Sequence, residues 1–260
     1  MTTFSVLDMI QAPARQAGSL ERVDHRPWPL PDGPWVMGQT WEELLFAHWR
    51  VPAEALRSRL PAGLELDLFQ DEAWIAVTPF RVTGLRARGL PPLPLLSSFL
   101  EVNTRTYVTV GGKPGIWFFS LDAASELAVL AARRGYKLPY FRADMRAGWS
   151  GGRLSYESRR RDPEGRPAAF RARYRPIGDV LEADASSLAH FLTERYCLYA
   201  ADGGRLKRAQ IHHEPWPLQP AEAEIAENTM PPPGIELLDD EPLLHFSARL
   251  DVVIWPLEDA

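Results

Sequence analysis

The segment RRGYKLPYFRADM, residues 133–145, carries a lysine in a setting where an amine could do chemistry. Lys137 is one of only three lysines in the chain and lies between a tyrosine and a Leu-Pro pair. A lysine among apolar groups can form a Schiff base with a carbonyl substrate once burial or a neighbouring cation lowers its pKa. Arg133 and Arg134 could supply that cation. Lys137 is therefore a candidate nucleophile, and the alternative is a surface lysine that connects a helix to a strand.

A second group of polar side chains alternates with apolar ones in two predicted strands. In FLEVNTRTYV, Glu101, Asn103, Arg105 and Tyr107 share one face, because successive strand residues point to opposite sides. The last strand alternates in the same way and has a polar face made of His245, Ser247, Arg249 and Asp251. The pattern alone favours faces that meet solvent, and the alternative is that a polar face lines a closed cavity.

Histidines and carboxylates near the C-terminus are of the types that bind metal ions. His212 and His213 are adjacent, so on a strand they point to opposite faces and cannot readily share one ion. A metal site would need His245 with one of them and a carboxylate such as Glu222 or Glu224. Hydrogen-bonded structural histidines are the favoured interpretation, and we expect no metal.

Other catalytic patterns are weak or absent. The segment GWSGG, residues 148–152, matches a nucleophile elbow, but that motif requires a strand feeding a helix, so Ser150 is predicted to lie in a hairpin turn. Cys197, in FLTERYCLYA, has an apolar, helix-like setting that favours packing. The chain has no phosphate loop or dinucleotide fingerprint, and we expect no cofactor.

Composition limits the class of protein. The 260 residues, 45% of them hydrophobic and 24% charged, are typical of a globular chain, and we expect a single domain over 1–260 with a Pro-rich N-terminal arm at 1–33 and a body at 34–257. The net charge of −5 argues against nucleic-acid binding. No leader-like segment or apolar run of bilayer length is present, and one cysteine fits a reducing compartment. We therefore expect a cytoplasmic protein without membrane contact, and a homo-oligomer is left open.

Strand patterns outnumber helix patterns along the chain. Alternating, aromatic and β-branched runs predict strands or hairpins over 36–51, 64–85, 99–123, 141–160, 170–178, 205–216 and 243–255. Helices are predicted over 52–61, 124–134 and about 186–196. Residues 1–33 lack a sustained period and are expected to be extended against the body. Many antiparallel strands with few helices predict a mainly β fold that closes into a barrel, because closure removes exposed strand edges.

Several motifs spread along the chain carry a family resemblance. They are HRPWPLPDGPWVMGQTW, LLFAHW, PFRVTGLRARGLPPLP, FLEVNTRTYV, GKPGIWFFSLDA, LPYFRA, FLTERYCLY, IHHEPWPLQPAEAEI and HFSARLDVVIWP. Together they resemble the uncharacterised YqjF-like family. The resemblance runs from about residue 25 to residue 256. The family belongs to the acetoacetate decarboxylase-like superfamily, so the resemblance implies a closed, cone-shaped antiparallel β-barrel around a small-molecule cavity.

A narrower resemblance to the decarboxylases of that superfamily covers residues 97–145. Their motif Gly-Arg-Glu-x-Trp-Gly-x-Pro-Lys-Lys is similar to ARRGYKLPYF, which implies that Arg133 matches the arginine and Pro139 the proline. The resemblance also implies that Glu101 is the glutamate inside the cavity. The two motif lysines, of which the first forms the Schiff base, are replaced by Tyr140 and Phe141.

This combination predicts a small-molecule-binding barrel for a small organic acid or carbonyl compound, without the Schiff-base lysine pair. Glu101 is the candidate acid or base, and the ligand-binding candidates are Arg105, Asn103, Tyr140 and His245. One alternative is a Schiff-base lyase or decarboxylase that uses Lys137, and another is a structural or partner-binding module with no ligand. Whether the protein is an enzyme is left open.

Overall fold

The structure, a computed structural model, describes residues 6–93 and 97–260. Its strands are β1 Met37–Val51, β2 Glu65–Leu66, β3 Ala73–Ala87, β4 Phe99–Val110, β5 Lys113–Ala123, β6 Tyr140–Ser150, β7 Arg153–Arg160, β8 Ala169–Pro176, β9 Cys197–Asp202, β10 Arg205–His212, β11 Leu218–Asn228, β12 Leu243–Ile254 and β13 Glu258–Asp259. The helices are α1 Val6–Gly18, α2 Ala53–Arg57, α3 Glu126–Gly135 and α4 Leu188–Thr193, with a 3₁₀ turn at Ser19–Glu21. The prediction of a mainly β fold with few helices is confirmed.

Strand pairing closes the sheet twice. One closed ring has nine strands, in the order β5, β6, β7, β8, β11, β12, β1, β3 and β4. Pairing of β10 with β12 and of β9 with β5 closes a second ring of seven strands, β5, β9, β10, β12, β1, β3 and β4. The pairing is antiparallel except where β5 meets β6 and β9.

The two rings differ in what fills them. The nine-strand ring encloses a packed apolar cluster that includes Leu45, Ile75, Val102, Phe170 and Phe246. The seven-strand ring encloses a second apolar cluster and, beside it, a cavity that all seven of its strands line. Strand β4 separates the two interiors, since Val102 belongs to the packed cluster and Glu101 lines the cavity.

The hairpin predicted over 99–123 forms as β4 and β5. Aromatic and β-branched residues flank Gly111 and Gly112, which both adopt positive φ in the turn. The hairpin over 141–160 forms as β6 and β7, and Ser150 is the last residue before its Gly-Gly turn. The expectation for Ser150 is therefore met.

The expectation of an extended N-terminal arm is wrong for residues 6–21, which are helical, whereas residues 22–33 contain no helix; residues 1–5 lie outside the described ranges. Helix α1 covers the polar face of β12: Arg15 pairs with Asp251 at 3.1 Å, and Asp8 with Arg249 at 3.0 Å. Gln16 is buried and donates hydrogen bonds to Thr40 Oγ1 and to the carbonyl of Gly84. These polar partners are far apart in sequence, so no local pattern shows that this segment packs on β12.

The helix predicted at about 186–196 is too long. Helix α4 ends at Thr193. Cys197 lies at the start of strand β9, so the prediction that this cysteine has a helical setting is also wrong. Cys197 is buried and packs with Leu64, Val108 and Tyr199. Strand β11 was not predicted, because Pro220 and the alternating Ala and Glu residues of LQPAEAEIAEN carry little strand propensity.

No helix within the described ranges has the length and apolar character needed to cross a bilayer.

Candidate functional site

Glu101 and Tyr140 meet inside the seven-strand ring. Glu101 lies on β4 opposite Phe80 of β3, and Tyr140 begins β6 opposite Leu121 of β5. The Tyr140 hydroxyl donates a hydrogen bond to Glu101 Oε2 at 2.8 Å. Both side chains line the cavity, and only 3% of Glu101 is exposed.

Burial controls the protonation of this pair. Removal from water raises the pKa of Glu101 from 4.5 to about 7, although hydrogen bonds from Tyr140 and Asn103 to its carboxylate act in the opposite direction. Burial, together with the adjacent Glu101, raises the pKa of Tyr140 well above its ordinary value. Near neutral pH, Glu101 can therefore accept or release a proton while Tyr140 stays a hydrogen-bond donor.

Arg133 holds Tyr140 in place. Its Nε donates a hydrogen bond to the Tyr140 carbonyl at 2.7 Å, and its Nη2 pairs with Asp162 at 2.8 Å. Arg133 lies in the last turn of α3, so this contact links the helix to the start of β6. Phe141, which follows Tyr140 on β6, packs against Arg160, whose guanidinium carbon lies 4.1 Å from the centre of the Phe141 ring.

Arg105 is a buried guanidinium that forms no ion pair with any described carboxylate. Only 8% of the residue is exposed, and it lines the cavity. Its Nη2 donates a long hydrogen bond of 3.4 Å to the carbonyl of Leu192, the guanidinium lies 5.1 Å from the ring centre of Phe46, and Nε has no partner among the described residues. Burial lowers the pKa of Arg105, and Tyr107 opposes that shift. By contrast, Arg195, which also lines the cavity, pairs with Asp67 at 2.5 Å.

Further polar atoms on the cavity wall lack partners among the described residues. They are Asn103 Oδ1, Thr78 Oγ1 and Trp216 Nε1, all from residues at most 5% exposed. A buried polar atom without a hydrogen bond is costly, so such atoms call for a partner that enters the cavity.

The rest of the wall is apolar, and the cavity volume is about 180 Å³. Phe80, Phe118, Leu121, Leu198 and Ile211 are among its lining residues. Apolar walls with a few convergent polar groups are typical of small-molecule sites.

Helix α3 forms one side of the cavity with small residues. Ala128, Ala131 and Ala132 line it, and Ala131 is also exposed to solvent, so the cavity reaches the surface at this helix. Ser125 caps the helix by accepting a hydrogen bond from the Ala128 N–H at 3.3 Å.

The structure places Lys137 outside this cavity. Its side chain is 39% exposed and its Nζ lies 3.6 Å from Asp202 Oδ2. The backbone of Lys137 has a φ of +56°, just after α3, and the side chain is directed to the surface. Lys113 and Lys207 do not line the cavity either. Lys137 is therefore corrected as a catalytic candidate, and its position fits the alternative of a surface lysine between a helix and a strand.

His245 also lies away from the cavity, so its place among the ligand-binding candidates is corrected. It is half-buried on β12, beside His48, which is fully buried and lies 2.7 Å from the Tyr107 hydroxyl. Desolvation lowers the pKa of both histidines.

The residues of the metal alternative do not come together. His212 Nε2 contacts the Ser19 carbonyl at 2.8 Å, His213 stacks on Tyr196, and Glu222 pairs with Arg153. The described ranges contain no cluster of three or more metal-binding side chains.

The interpretation of the β4 polar face as solvated is wrong. Glu101, Asn103 and Arg105 are all buried and line the cavity. Sequence reasoning missed Thr78, Thr193, Arg195 and Trp216, which also line it. They come from separate elements, and no local spacing connects them to β4.

A closed β-ring around this cavity defines an acetoacetate decarboxylase-like fold. Acetoacetate decarboxylase from Legionella pneumophila superposes with a TM-score of 0.59 at 13% identity, covering 91% of this chain and 93% of that one. The enduracididine biosynthesis enzyme MppR, complexed with pyruvate, superposes with a TM-score of 0.61 at 11% identity, covering 91% and 93%.

The chain belongs to the DUF2071 family, described as an uncharacterized conserved protein, whose model matches residues 38–251. The uncharacterized protein YqjF of Bacillus subtilis (strain 168) is 49% identical over 238 residues, which cover 91% of this chain and 98% of that protein. The resemblance to the YqjF-like family is thereby confirmed.

Proposed function

We propose that this protein binds a small organic acid in the cavity of the seven-strand ring, with the ligand carboxylate on Arg105. The observation that carries the proposal is a guanidinium that is buried on an apolar cavity wall with no carboxylate partner among the described residues.

The energetic reason is the cost of burying a charge. An isolated charge in a protein interior costs several kcal/mol unless an opposite charge and hydrogen bonds compensate it. Arginine binds carboxylates through parallel N–H donors, and such charge-assisted contacts are stronger than neutral ones. A ligand carboxylate would supply the partner that Arg105 lacks.

Glu101 supports a carbonyl or hydroxyl group at another point of the ligand. With a pKa of about 7, it can donate a hydrogen bond when protonated and accept one when ionised. Pyruvate, bound in the MppR complex of the same fold, is an acid with an adjacent carbonyl, which is consistent with this ligand class. If a reaction takes place, Glu101 is the residue we propose as its acid or base.

The two alternatives have less support. A Schiff-base lyase requires a cavity amine, and none of the three lysines lines the cavity. A module without a ligand would fill the ring with its own side chains, whereas a cavity of about 180 Å³ lies beside Glu101.

Titration calorimetry with a panel of carboxylic acids and their neutral amides tests the proposal. We expect at least one acid to bind and its amide to bind at least about tenfold more weakly, because the amide loses the charge-assisted contact. Arg105→Met should abolish that preference. Arg171→Met, the same change on an exposed residue of β8, is the matched control and should leave binding unchanged.

Binding that is equal for acids and amides, or unaffected by Arg105→Met, would contradict the proposal. So would the failure of every acid to bind wild-type protein. Circular dichroism of each variant separates loss of binding from loss of fold.

A further inference from the structure

The two ends of the cavity have different polar chemistry. At one end, Glu101 contacts Tyr140 and the amide of Asn103. At the other end, Arg105 contacts the Leu192 carbonyl of α4, and its guanidinium interacts with Tyr107, two residues further from Glu101 along β4.

The separation of these ends follows from strand geometry. Glu101 and Arg105 are four residues apart on β4, which places their Cα atoms about 13 Å apart at a rise of about 3.3 Å per residue. The guanidinium of Arg105 interacts with Tyr107 and the Leu192 carbonyl, and no ion pair joins it to Glu101. A ligand that engages both ends must therefore be elongated.

The wall between the ends is largely aromatic. Phe80 pairs with Glu101 across β3 and β4, and Phe118 pairs with Arg105 across β4 and β5. Trp216 lines the same space and is held by contacts with Trp41 at 5.8 Å and Phe46 at 4.8 Å between ring centres. Aromatic rings favour edge-to-face or offset contact with another ring.

The volume sets the size of the ligand body. A protein cavity of about 150 Å³ lined by Leu, Ile and Phe accommodates benzene. The cavity described above, at about 180 Å³, has room for one aromatic ring with short substituents and opens to solvent beside α3.

We propose that the ligand is an arylalkanoic acid with a hydroxyl or keto group at the far end of its ring. Its carboxylate binds Arg105, its ring lies between Phe80, Phe118 and Trp216, and its far polar group binds Glu101 and Tyr140. This inference rests on the proposed function and narrows it, because a three-carbon acid reaches only one end.

The test uses 4-hydroxyphenylacetate, phenylacetate, 4-methylphenol and pyruvate as probes in titration calorimetry with the full chain. Phenylacetate lacks only the hydroxyl, and 4-methylphenol lacks only the carboxylate. We expect 4-hydroxyphenylacetate to bind at least about tenfold more tightly than each of the other three, since each gives up a polar contact or the ring. In Arg105→Met, 4-hydroxyphenylacetate should lose its advantage over 4-methylphenol, and in Arg171→Met it should keep it.

The outcomes separate the two proposals. If pyruvate binds as tightly as the aryl acids and depends on Arg105, the elongated ligand is wrong and the organic-acid site stands. If 4-methylphenol binds as tightly as 4-hydroxyphenylacetate, or if none of the acids binds, the aryl acid is wrong, and the organic-acid panel described above decides the proposed function. Phenylacetate equal to 4-hydroxyphenylacetate would overturn the role of Glu101 and Tyr140 as the far contact.

Discussion

The Tyr140 hydroxyl lies 2.8 Å from Glu101 Oε2, where the resemblance to the decarboxylases places a catalytic lysine. The group that contacts this buried carboxylate is therefore a neutral donor rather than a cation. Without a positive charge next to it, Glu101 is not held in its ionised form, and burial raises its pKa to about 7.

Glu101→Gln should change how stability depends on pH. In the folded state Glu101 keeps its proton up to about pH 7, whereas in the unfolded state it loses it near 4.5. The folded state therefore binds more protons between these values, so this residue makes the free energy of unfolding fall as pH rises through that window and level off above it. Glutamine does not titrate, so the free energy of unfolding of Glu101→Gln should rise relative to that of wild type by about 3 kcal/mol from pH 4.5 to pH 8.

Urea unfolding at several pH values measures this difference. Glu157→Gln, on an exposed residue of β7, is the control and should show no comparable trend. A difference between Glu101→Gln and wild type that stays constant with pH would show that Glu101 titrates as an ordinary carboxyl.

Lys137 should not form a Schiff base. Treatment with a β-keto acid and borohydride should leave the mass of the peptide that contains Lys137 unchanged, because its amine pairs with Asp202 at the surface. Peptide mass spectrometry is the measurement, and an acetoacetate decarboxylase treated in parallel shows that the trapping works. A stable adduct on Lys137 would restore the lyase alternative.

The local elements were largely predictable from the sequence, but the site was only half predictable. The β4–β5 hairpin has a strong period and a Gly-rich turn, so it forms where the pattern indicates. The same period puts Glu101 and Arg105 on one face but cannot say whether that face meets water, because a polar wall of a closed ring and a solvated surface have the same alternation. The polar face of β4 lines a cavity rather than meeting solvent because β9 and β10 close the seven-strand ring in front of it.

The rest of the site depends on contacts that are distant in sequence. Arg195 is buried in the cavity wall because Asp67, over a hundred residues earlier, pairs with it. Trp216 follows β10 in an irregular segment, where its backbone N–H donates a hydrogen bond to Glu194 Oε1. No spacing rule links these residues to β4.

Gly115→Ala should weaken the closure of the seven-strand ring. A Cβ at this position would lie 2.8 Å from the Cys197 carbonyl and 2.5 Å from the Tyr199 ring, where β5 meets β9. Overpacking of this kind costs about 1–3 kcal/mol. Thermal unfolding should show a lower midpoint than wild type.

Gly148→Ala is the matched control, since a Cβ there meets nothing within 4 Å. If both variants unfold at the same temperature as wild type, the space between β5 and β9 accommodates a Cβ at position 115 and the prediction is wrong.

Asp122→Asn should destabilise the protein strongly. Asp122 is fully buried and receives two hydrogen bonds from Arg160, at 2.8 and 2.5 Å, which link β5 to β7. Removing one charge of a buried pair costs about 3–5 kcal/mol, because the other charge stays buried without compensation.

Chemical denaturation measures the loss. Asp144→Asn breaks the exposed pair with Arg161 and should cost less than about 1 kcal/mol. If the two variants lose equal free energy of unfolding, burial does not determine how much the Asp122–Arg160 pair contributes to stability.

Strand β4 has a packed apolar cluster behind it and the cavity in front of it, and this fixes the route by which a ligand can exchange. The wall behind Glu101 and Arg105 is backed by packed side chains, because Val102 belongs to the apolar cluster that fills the nine-strand ring. Helix α3 packs mainly on β6 and β5 and presents alanines to the cavity. We therefore expect ligand entry and departure to pass beneath this helix, and we expect movement of the helix, rather than of the strands, to set how long a bound molecule stays.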